Sequence, residues 1–469
     1  MEPTWVSVLP PLLAIALAII TRQVFLSLAA GIWLGWTIIS GWNPLAGLAG
    51  AIEGGVAVLG DAGNARVILF TLVIGALIAT VEASGGVRGF VVWLEQRRWV
   101  TNGRRARILA WVIGLIIFIE SNITTLVAGA VSRPLFDRYK VSREKLSYLI
   151  DSTSAAVCIL IPLNAWGAYV LGILGELEVE NALEVFIASI PLNFYALTVV
   201  LVAGLTAVID LDIGPMRQAE RRTREGQLLS EDAAPLLDSD VLAPAPNARI
   251  PPRAINMFLP IATMVVMMPV SLYITGDGDI LAGTGSTSVL WAVMAGLAVA
   301  WILLLVQRGN TVDELVRTGL KGAGGLMSLA LVLLLALALG AVARELGTGI
   351  YIAGLAADVL PPFIFLPLIF LVAAGISFST GTSWGTFAIM IPIAVPAAAV
   401  LGLPIAPFLA ASLAGGVFGD HCSPISDSTI IASMAAATDH IDHVRTQLPY
   451  ALLAAAVATL GFGILGGTL

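Results

Sequence analysis

The chain has 469 residues, of which 58% are hydrophobic and only 12% charged, and a mean hydropathy of +0.94; a soluble protein of this length could not cover its surface with so little charge. The formal charge of −7 is modest, and the basic residues gather in a few stretches with no nucleic-acid signature. The only cysteines, Cys158 and Cys422, both lie in apolar segments, which argues against a disulfide and still more against a cysteine-based metal site.

A membrane-crossing helix needs about 20 apolar residues. Met1–Trp5 lacks the basic region and small-residue cleavage site of a signal peptide, so Trp5–Ile20 reads as a first, retained membrane helix. Val24–Ser40 and Val67–Val81 follow it. Ile108–Ile119 is apolar but too short to cross alone, and the long runs Leu146–Leu174 and Leu183–Ile209 complete the first half. Asp210–Arg253 is polar, with Pro, Gly, Ser and charges of both signs; it cannot sit in lipid and reads as a partly disordered linker. The second half continues with Ile255–Ile274, Thr287–Val306, Gly324–Val342, Pro361–Ser377, Ile389–Leu401, Phe408–Phe418 and Gln447–Leu465. The expected organisation is a first repeat over 1–209, a cytoplasmic linker over 210–254 and a second repeat over 255–469.

Basic residues orient such a chain, because short cytoplasmic loops are enriched in Lys and Arg. Arg97, Arg98, Arg104, Arg105 and Arg107 form one group, and Arg133, Arg138, Lys140, Arg143 and Lys145 a second. The linker holds six Arg, and Arg308, Arg317 and Lys321 mark a fourth group. Glu176–Glu184 has four Glu and no basic residue, and Asp277 and Asp279 also lack basic neighbours. The four basic groups are therefore expected in the cytoplasm, with the acidic loops and the N-terminus outside. Both flanks of Ile108–Ser132 are then cytoplasmic, so this segment must enter and leave on one side, as a re-entrant hairpin with its tip near Glu120–Thr125. Such a tip is tolerated only where protein or a water-lined cavity covers its backbone.

The two halves share internal landmarks. Pro134 and Pro396, Pro162 and Pro424, Gly85 and Gly347, and Ser121 and Ser383 are each separated by 262 residues. A slightly larger offset carries Gly31 and Trp36 onto Gly296 and Trp301. Each half is expected to hold three spans, a hairpin, an interrupted helix and a final span. An odd number of crossings per half inverts the second, which gives an all-α polytopic protein of two inverted repeats, the architecture of secondary transporters, with a site near the midplane.

Polar residues inside the membrane are costly and mark function. They fall into four clusters: Glu120-Ser121-Asn122-Ile123-Thr124-Thr125; Asp151-Ser-Thr-Ser154 with Ile161-Pro-Leu-Asn-Ala-Trp-Gly167; Ser377–Thr386; and Gly419–Thr429. The third is the repeat mate of the first, and the fourth that of the Pro162 region. Hydroxyl, amide and carboxylate oxygens, with carbonyls freed at Pro162 and Pro424, suit a hard cation such as sodium. A buried carboxylate can hold a cation or a proton, and that competition is enough to exchange one for the other.

Gly419-Asp-His-Cys-Ser-Pro-Ile-Ser-Asp-Ser-Thr429 resembles the signature of the NhaC-type sodium/proton antiporter family, as do Trp5-Val-Ser-Val-Leu-Pro-Pro11, Ile150-Asp-Ser-Thr-Ser154 and Gly381-Thr-Ser-Trp-Gly385. The resemblance covers nearly the whole chain except the linker. It is similar in layout to the wider ion-transporter superfamily, which includes the divalent-anion/sodium symporters. That implies Ser-Asn-Thr hairpin tips facing broken helices, a homodimer, and a transport bundle that moves as an elevator against a scaffold. The first tip here reads Ser121-Asn122-Ile123-Thr124, with one residue inserted, and the second, Ser379-Thr-Gly-Thr382, lacks the Asn.

The expected ligands are Asp420 and Asp427 for the ion or proton, with Asp151 assisting. Ser121, Asn122, Thr382 and Ser383 add neutral oxygens; Glu120, Thr124, Asn164, Ser426 and His421 complete the candidates. Sodium, through Asp420, Asp427, Ser121 and Asn122, and protons are the expected transported or coupling ions, with no resident cofactor and no enzymatic constellation. Each residue also has a structural alternative: an Asp-capped turn for Asp420 and Asp427, a helix cap for Asp151 or Asn164, hairpin bonding for Glu120 and Asn122, a spectator role for His421. His440 and His443, beside Asp439 and Asp442, read as a solvated loop. The expected function is sodium/proton antiport in a prokaryotic inner membrane. The alternative is a sodium- or proton-coupled carrier of an organic acid or amino acid, for which Asn164-Ala-Trp-Gly167 and Trp384 would line a larger pocket.

Overall fold

A computed structural model describes residues 4–21, 23–86, 88–90, 93, 100–118, 121–162, 164–233, 251–278, 283–348, 350–351 and 362–469, with backbone alone at 19, 122, 123, 130 and 362. Every regular element among these is helical. Seven helices are long and apolar enough to cross a membrane, and two bent helix pairs raise the number to nine. The protein is a polytopic, multi-pass membrane protein.

The first half opens with α1 (Leu9–Thr21), α2 (Val24–Ile39), α3 (Pro44–Gly60) and α4 (Ala62–Ala83). α3 falls outside the spans expected from the sequence, because Glu53, Gly54 and Gly55 dilute its apolar character. It meets α2 at 118°. The reversal uses left-handed Gly41 and Trp42, and Asn43 then caps α3 by accepting from the amides of Leu45 and Ala46, with Pro44 preset as the first helical residue.

The expected hairpin region holds α5 (Gly103–Ile116) and α6 (Ser121–Arg138), packed against each other. The apolar run Leu146–Leu174, expected to be interrupted at Pro162, comprises α7 (Arg143–Ser152), a single turn α8 (Ala155–Cys158) and α9 (Ala165–Glu176). Pro162, which has no amide proton, lies in the gap. α10 (Ala182–Ser189) and α11 (Phe194–Ile209) form a span bent by 48° at Ile190–Leu192, next to Pro191. The linker is more ordered than expected at its start: α12 (Pro215–Arg224) docks with Met216, Ala219, Glu220 and Thr223 buried.

The second half contains α13 (Ile255–Thr275), α14 (Gly285–Val306), α15 (Val312–Gly325), α16 (Met327–Glu345), α17 (Pro362–Thr380), α18 (Ser383–Val400), α19 (Ile405–Cys422), α20 (Asp427–Ala436) and α21 (His440–Gly466). α18 begins and ends 262 residues after α6, and α20 begins 262 after α9. Gly85 and Gly347 both adopt left-handed φ, +67° and +66°, just beyond the ends of α4 and α16. The two halves thus share their order of helices. They also interlock. Gly129 of α6 leaves no room for a side chain against Ala435 of α20, while Tyr169 of α9 donates to the Trp384 carbonyl of α18 at 3.0 Å.

One basic group is not a loop. Lys145 is fully buried on α7, its ammonium 2.6 Å from Asp210, 2.7 Å from Asp212 and 3.4 Å from Glu220. Arg107 and Arg224 close on Asp210 at 3.1 and 2.8 Å. These three carboxylates are close enough together to hold a metal, but a lysine fills their centre. Burial opposes ionisation of Asp210; the hydrogen bond from Lys145 and the charges of Lys145, Arg107 and Arg224 outweigh it and hold Asp210 below the usual carboxylate range.

Candidate functional site

The second break, Ser423–Ser426, separates α19 from α20, and Pro424, which has no amide proton to donate, lies within it. α19 reaches it through close contact with α17. A Cβ on Gly415 would lie 2.2 Å from the Phe370 carbonyl oxygen, and one on Gly419 would lie 2.3 Å from that of Ala374. Small residues four apart are how membrane helices approach this closely. At the hairpin tip between α17 and α18, Gly381 has φ +69°, and a Cβ there would fall 2.5 Å from the Ile425 carbonyl oxygen. Only glycine meets both demands. The tip is thus pressed onto the break, and Ser423 Oγ fixes it further by donating to the Phe378 carbonyl at 2.7 Å.

This packing builds a carboxylate site. Asp420, buried near the end of α19, accepts from Ser383 Oγ at 2.7 Å and from Ser426 Oγ at 2.5 Å. Ser383 is the first residue of α18, and Ser426 caps α20 by accepting from the Thr429 amide. Both hydroxyls give their protons to Asp420; the Ser383 oxygen keeps lone pairs that can face a cation, whereas the Ser426 oxygen already accepts from the Thr429 amide and the Ser428 hydroxyl. Asp427, the first residue of α20, opens onto a cavity of about 370 Å³ together with Thr382, Trp384, Ala165, Gln23 and Ser328. No Lys or Arg lines that cavity among the described residues. Trp166 packs 4.7 Å from Trp384, centroid to centroid, and forms the aromatic wall behind it.

Asp151, on α7, is joined to this site through α20 rather than directly. Its Oδ2 accepts from Thr429 Oγ1 at 3.1 Å and from Gln447 Nε2 at 2.7 Å, while its Oδ1 is buried without a partner. It is not a helix cap: the cap of α7 is Ser142. His421 turns away from the Asp420 carboxylate and pairs with Tyr195 OH at 2.8 Å and Ser152 Oγ at 3.1 Å.

The candidates of the first half gather at the other break. Asn164 caps α9 by accepting from the Gly167 amide at 3.0 Å and donates to the carbonyls of Cys158 and Phe118, both at 2.8 Å. Thr124 donates to the Ile117 carbonyl, and Ser121 is buried at the start of α6. Asn164 therefore spends its polar atoms joining a broken helix to a hairpin turn. Glu120 and the side chain of Asn122 lie outside the described residues.

The sequence reading missed Gln447, Thr429, Ser433 and His443. His443 is fully buried rather than part of a solvated loop. The signal was available: His440, His443 and Gln447 sit at i, i+3 and i+7, on one face of a single helix.

Residues 168–467 match the Na+/H+ antiporter family. An uncharacterised protein of Haemophilus influenzae is 33% identical over 490 aligned residues, covering 98% of this chain and 91% of that protein. The malate-2H(+)/Na(+)-lactate antiporter of Bacillus subtilis is 34% identical over 109 residues, 23% of each chain. In three dimensions the chain is similar to the YdaH transporter of Alcanivorax borkumensis, with a TM-score of 0.56 and 16% identity over 90% of this chain and 88% of that one.

Proposed function

The chain belongs to the Na+/H+ antiporter family and is a secondary transporter rather than an enzyme; from that premise we propose that it exchanges sodium for protons in a prokaryotic inner membrane. The observation that carries this reading is the buried Asp420 bracketed by Ser383 and Ser426 at a helix break, with a second carboxylate, Asp427, at the start of the next helix and on a cavity. Sodium enters along the cavity past Asp427 and Thr382. It is held by Asp420 with the Ser383 oxygen, while Ser426 orients the carboxylate, and its arrival displaces a proton from the carboxylates. Thr124 of the first tip donates to the Ile117 carbonyl beside the opposite break, and Ser121 and Asn122 are its candidate neutral ligands.

The two hairpins and two broken helices form a bundle that moves as an elevator against the remaining spans, within a homodimer of inverted repeats. The interlocked contacts of α6 with α20 and α9 with α18 support treating them as one body. Asp427→Asn keeps the shape of the cavity and removes its charge. In proteoliposomes it should abolish sodium-driven pH change while the purified variant keeps the wild-type melting temperature. Full activity of the variant would rule out this role.

A second reading is favoured by the cavity itself, which at about 370 Å³ with an aromatic wall exceeds what a bare ion needs. It would suit a small organic acid or amino acid carried with sodium. The cavity's acidic, lysine-free lining weighs against an organic anion binding without a cation.

A further inference from the structure

A polar chain leads from Asp151 along the first turns of α21 to its first residue, His440, and ends at Pro424 in the break between α19 and α20. Gln447 Nε2 donates to Asp151 Oδ2 and to the His421 carbonyl, so its oxygen must accept, and it does so from His443 Nε2 at 2.9 Å. His443 Nδ1 lies 2.9 Å from Ser433 Oγ, and His440 Nδ1 lies 2.9 Å from the same oxygen. His440 Nε2 donates to the Pro424 carbonyl at 2.7 Å. His440 is half-buried and Pro424 is exposed, so the chain ends at the protein surface.

The proton inventory of this chain does not close if both imidazoles are neutral. Each Nε2 carries its proton toward a carbonyl oxygen, so each Nδ1 is bare, while the single hydroxyl proton of Ser433 goes to the Thr429 carbonyl of its own helix at 2.9 Å. One additional proton lets His440 Nδ1–H donate to Ser433 Oγ, and rotation of the Ser433 hydroxyl from the Thr429 carbonyl to His443 Nδ1 then closes the chain. At the far end, His443 Nε2 lies 3.7 Å from Asp151 Oδ2, and Asp151 Oδ1 is buried and unpartnered at 1% exposure. Such an oxygen is costly unless it gains a proton.

We propose that His440, Ser433 and His443 form a proton relay that loads and unloads Asp151, separate from the cation site at Asp420. This rests on the reading that the protein couples to protons. In the forward step the His440 Nδ1 proton passes to Ser433 Oγ as the Ser433 proton passes to His443 Nδ1. The His443 Nε2 proton then passes to Asp151 as Gln447 yields its place. No electrons move; both histidines end neutral, His443 as its Nδ1–H tautomer, and Asp151 ends as the acid. Unloading runs the same steps in reverse: Asp151 returns its proton to His443 Nε2 as His443 Nδ1 gives its proton to Ser433 and Ser433 gives one to His440 Nδ1, which restores the starting tautomer.

The other titratable groups around the relay do not interrupt it. Glu144 of α7 is held by Arg222, and Asp137 of α6 by Arg143. On α21 itself, Asp439 caps the helix and Asp442 accepts from Ser230. His421 of α19 faces Tyr195, and Asp420 and Asp427 face the cation site.

The test is an acid jump on full-length protein in proteoliposomes, followed by infrared absorbance of the carboxylic-acid C=O stretch, with Asp151→Asn identifying the band. In wild type the band should rise rapidly. In Ser433→Ala and His443→Gln it should rise on the order of 100-fold more slowly, to the same final amplitude, and Ser433→Thr, which keeps the hydroxyl, should restore the rate. Binding of 22Na+ to Ser433→Ala should match wild type. An acid-jump spectrum that Asp151→Asn leaves unchanged, or an Asp151 component that rises at the wild-type rate in Ser433→Ala, overturns the relay. This readout needs no sodium flux, so failure of the exchange reading is seen separately, as absent sodium-driven pH change in wild type.

Discussion

Asp420→Asn should lower sodium affinity on the order of 100-fold, measured as 22Na+ binding to the purified protein. Two effects combine. The carboxylate charge is lost from a site with little water, where a charge pair at contact distance contributes a few kcal/mol. The amide nitrogen of Asn also donates where the carboxylate accepted, so it competes with Ser383 and Ser426 and turns one hydroxyl away from the ligand position. Stability should change little, because Asn still forms a hydrogen bond with one serine. Ser383→Ala removes one neutral ligand and leaves the charge, so its effect should be smaller, roughly tenfold. Asp420→Asn with wild-type sodium affinity would remove the cation from this break.

The second large effect lies far from the cation. Lys145→Met should lower stability by about 3–5 kcal/mol, the usual consequence of removing one member of a buried ionic group. Asp210, Asp212 and Glu220 would lose their common partner. The loss has a pH signature. Asp210 is held below the usual carboxylate range, so its contribution is fully present above that range and disappears as pH falls through its folded value. The melting temperatures of wild type and Lys145→Met in detergent should therefore differ most at neutral pH and converge on acidification. Adding Asp212→Asn to Lys145→Met should recover part of the loss, because the two changes are coupled. Equal melting temperatures at neutral pH would mean that the lysine does not anchor the linker helix.

Legibility in the sequence followed how local each interaction is. Asp420, Pro424, Ser426 and Asp427 lie within one short motif, so their common site could be read directly. Ser383, across the hairpin, was reachable only because Ser121 sits 262 residues before it. Helices α6 and α18 share their boundaries at that same offset: each begins at its serine and contains its proline, Pro134 or Pro396. Where the reading failed, the deciding partner lay elsewhere in space. Lys145 counts as a loop charge until Asp210 and Asp212, 65 or more residues later, are folded around it. His443 looks solvated beside Asp439 and Asp442 until α20 brings Ser433 onto it. α3 was missed because glycines and a glutamate hide a helix whose cap, Asn43-Pro44, was nonetheless present.

The central claim is that sodium and protons are exchanged for one another. Its most direct test uses full-length protein in proteoliposomes with a trapped pH dye, an inward sodium gradient and no organic solute. Sodium entry should drive protons out and turn the lumen alkaline, in proportion to the gradient, and choline in place of sodium should leave the pH unchanged. A lumen that responds to sodium only after an organic acid or amino acid is added would contradict sodium/proton exchange and assign the cavity to that solute.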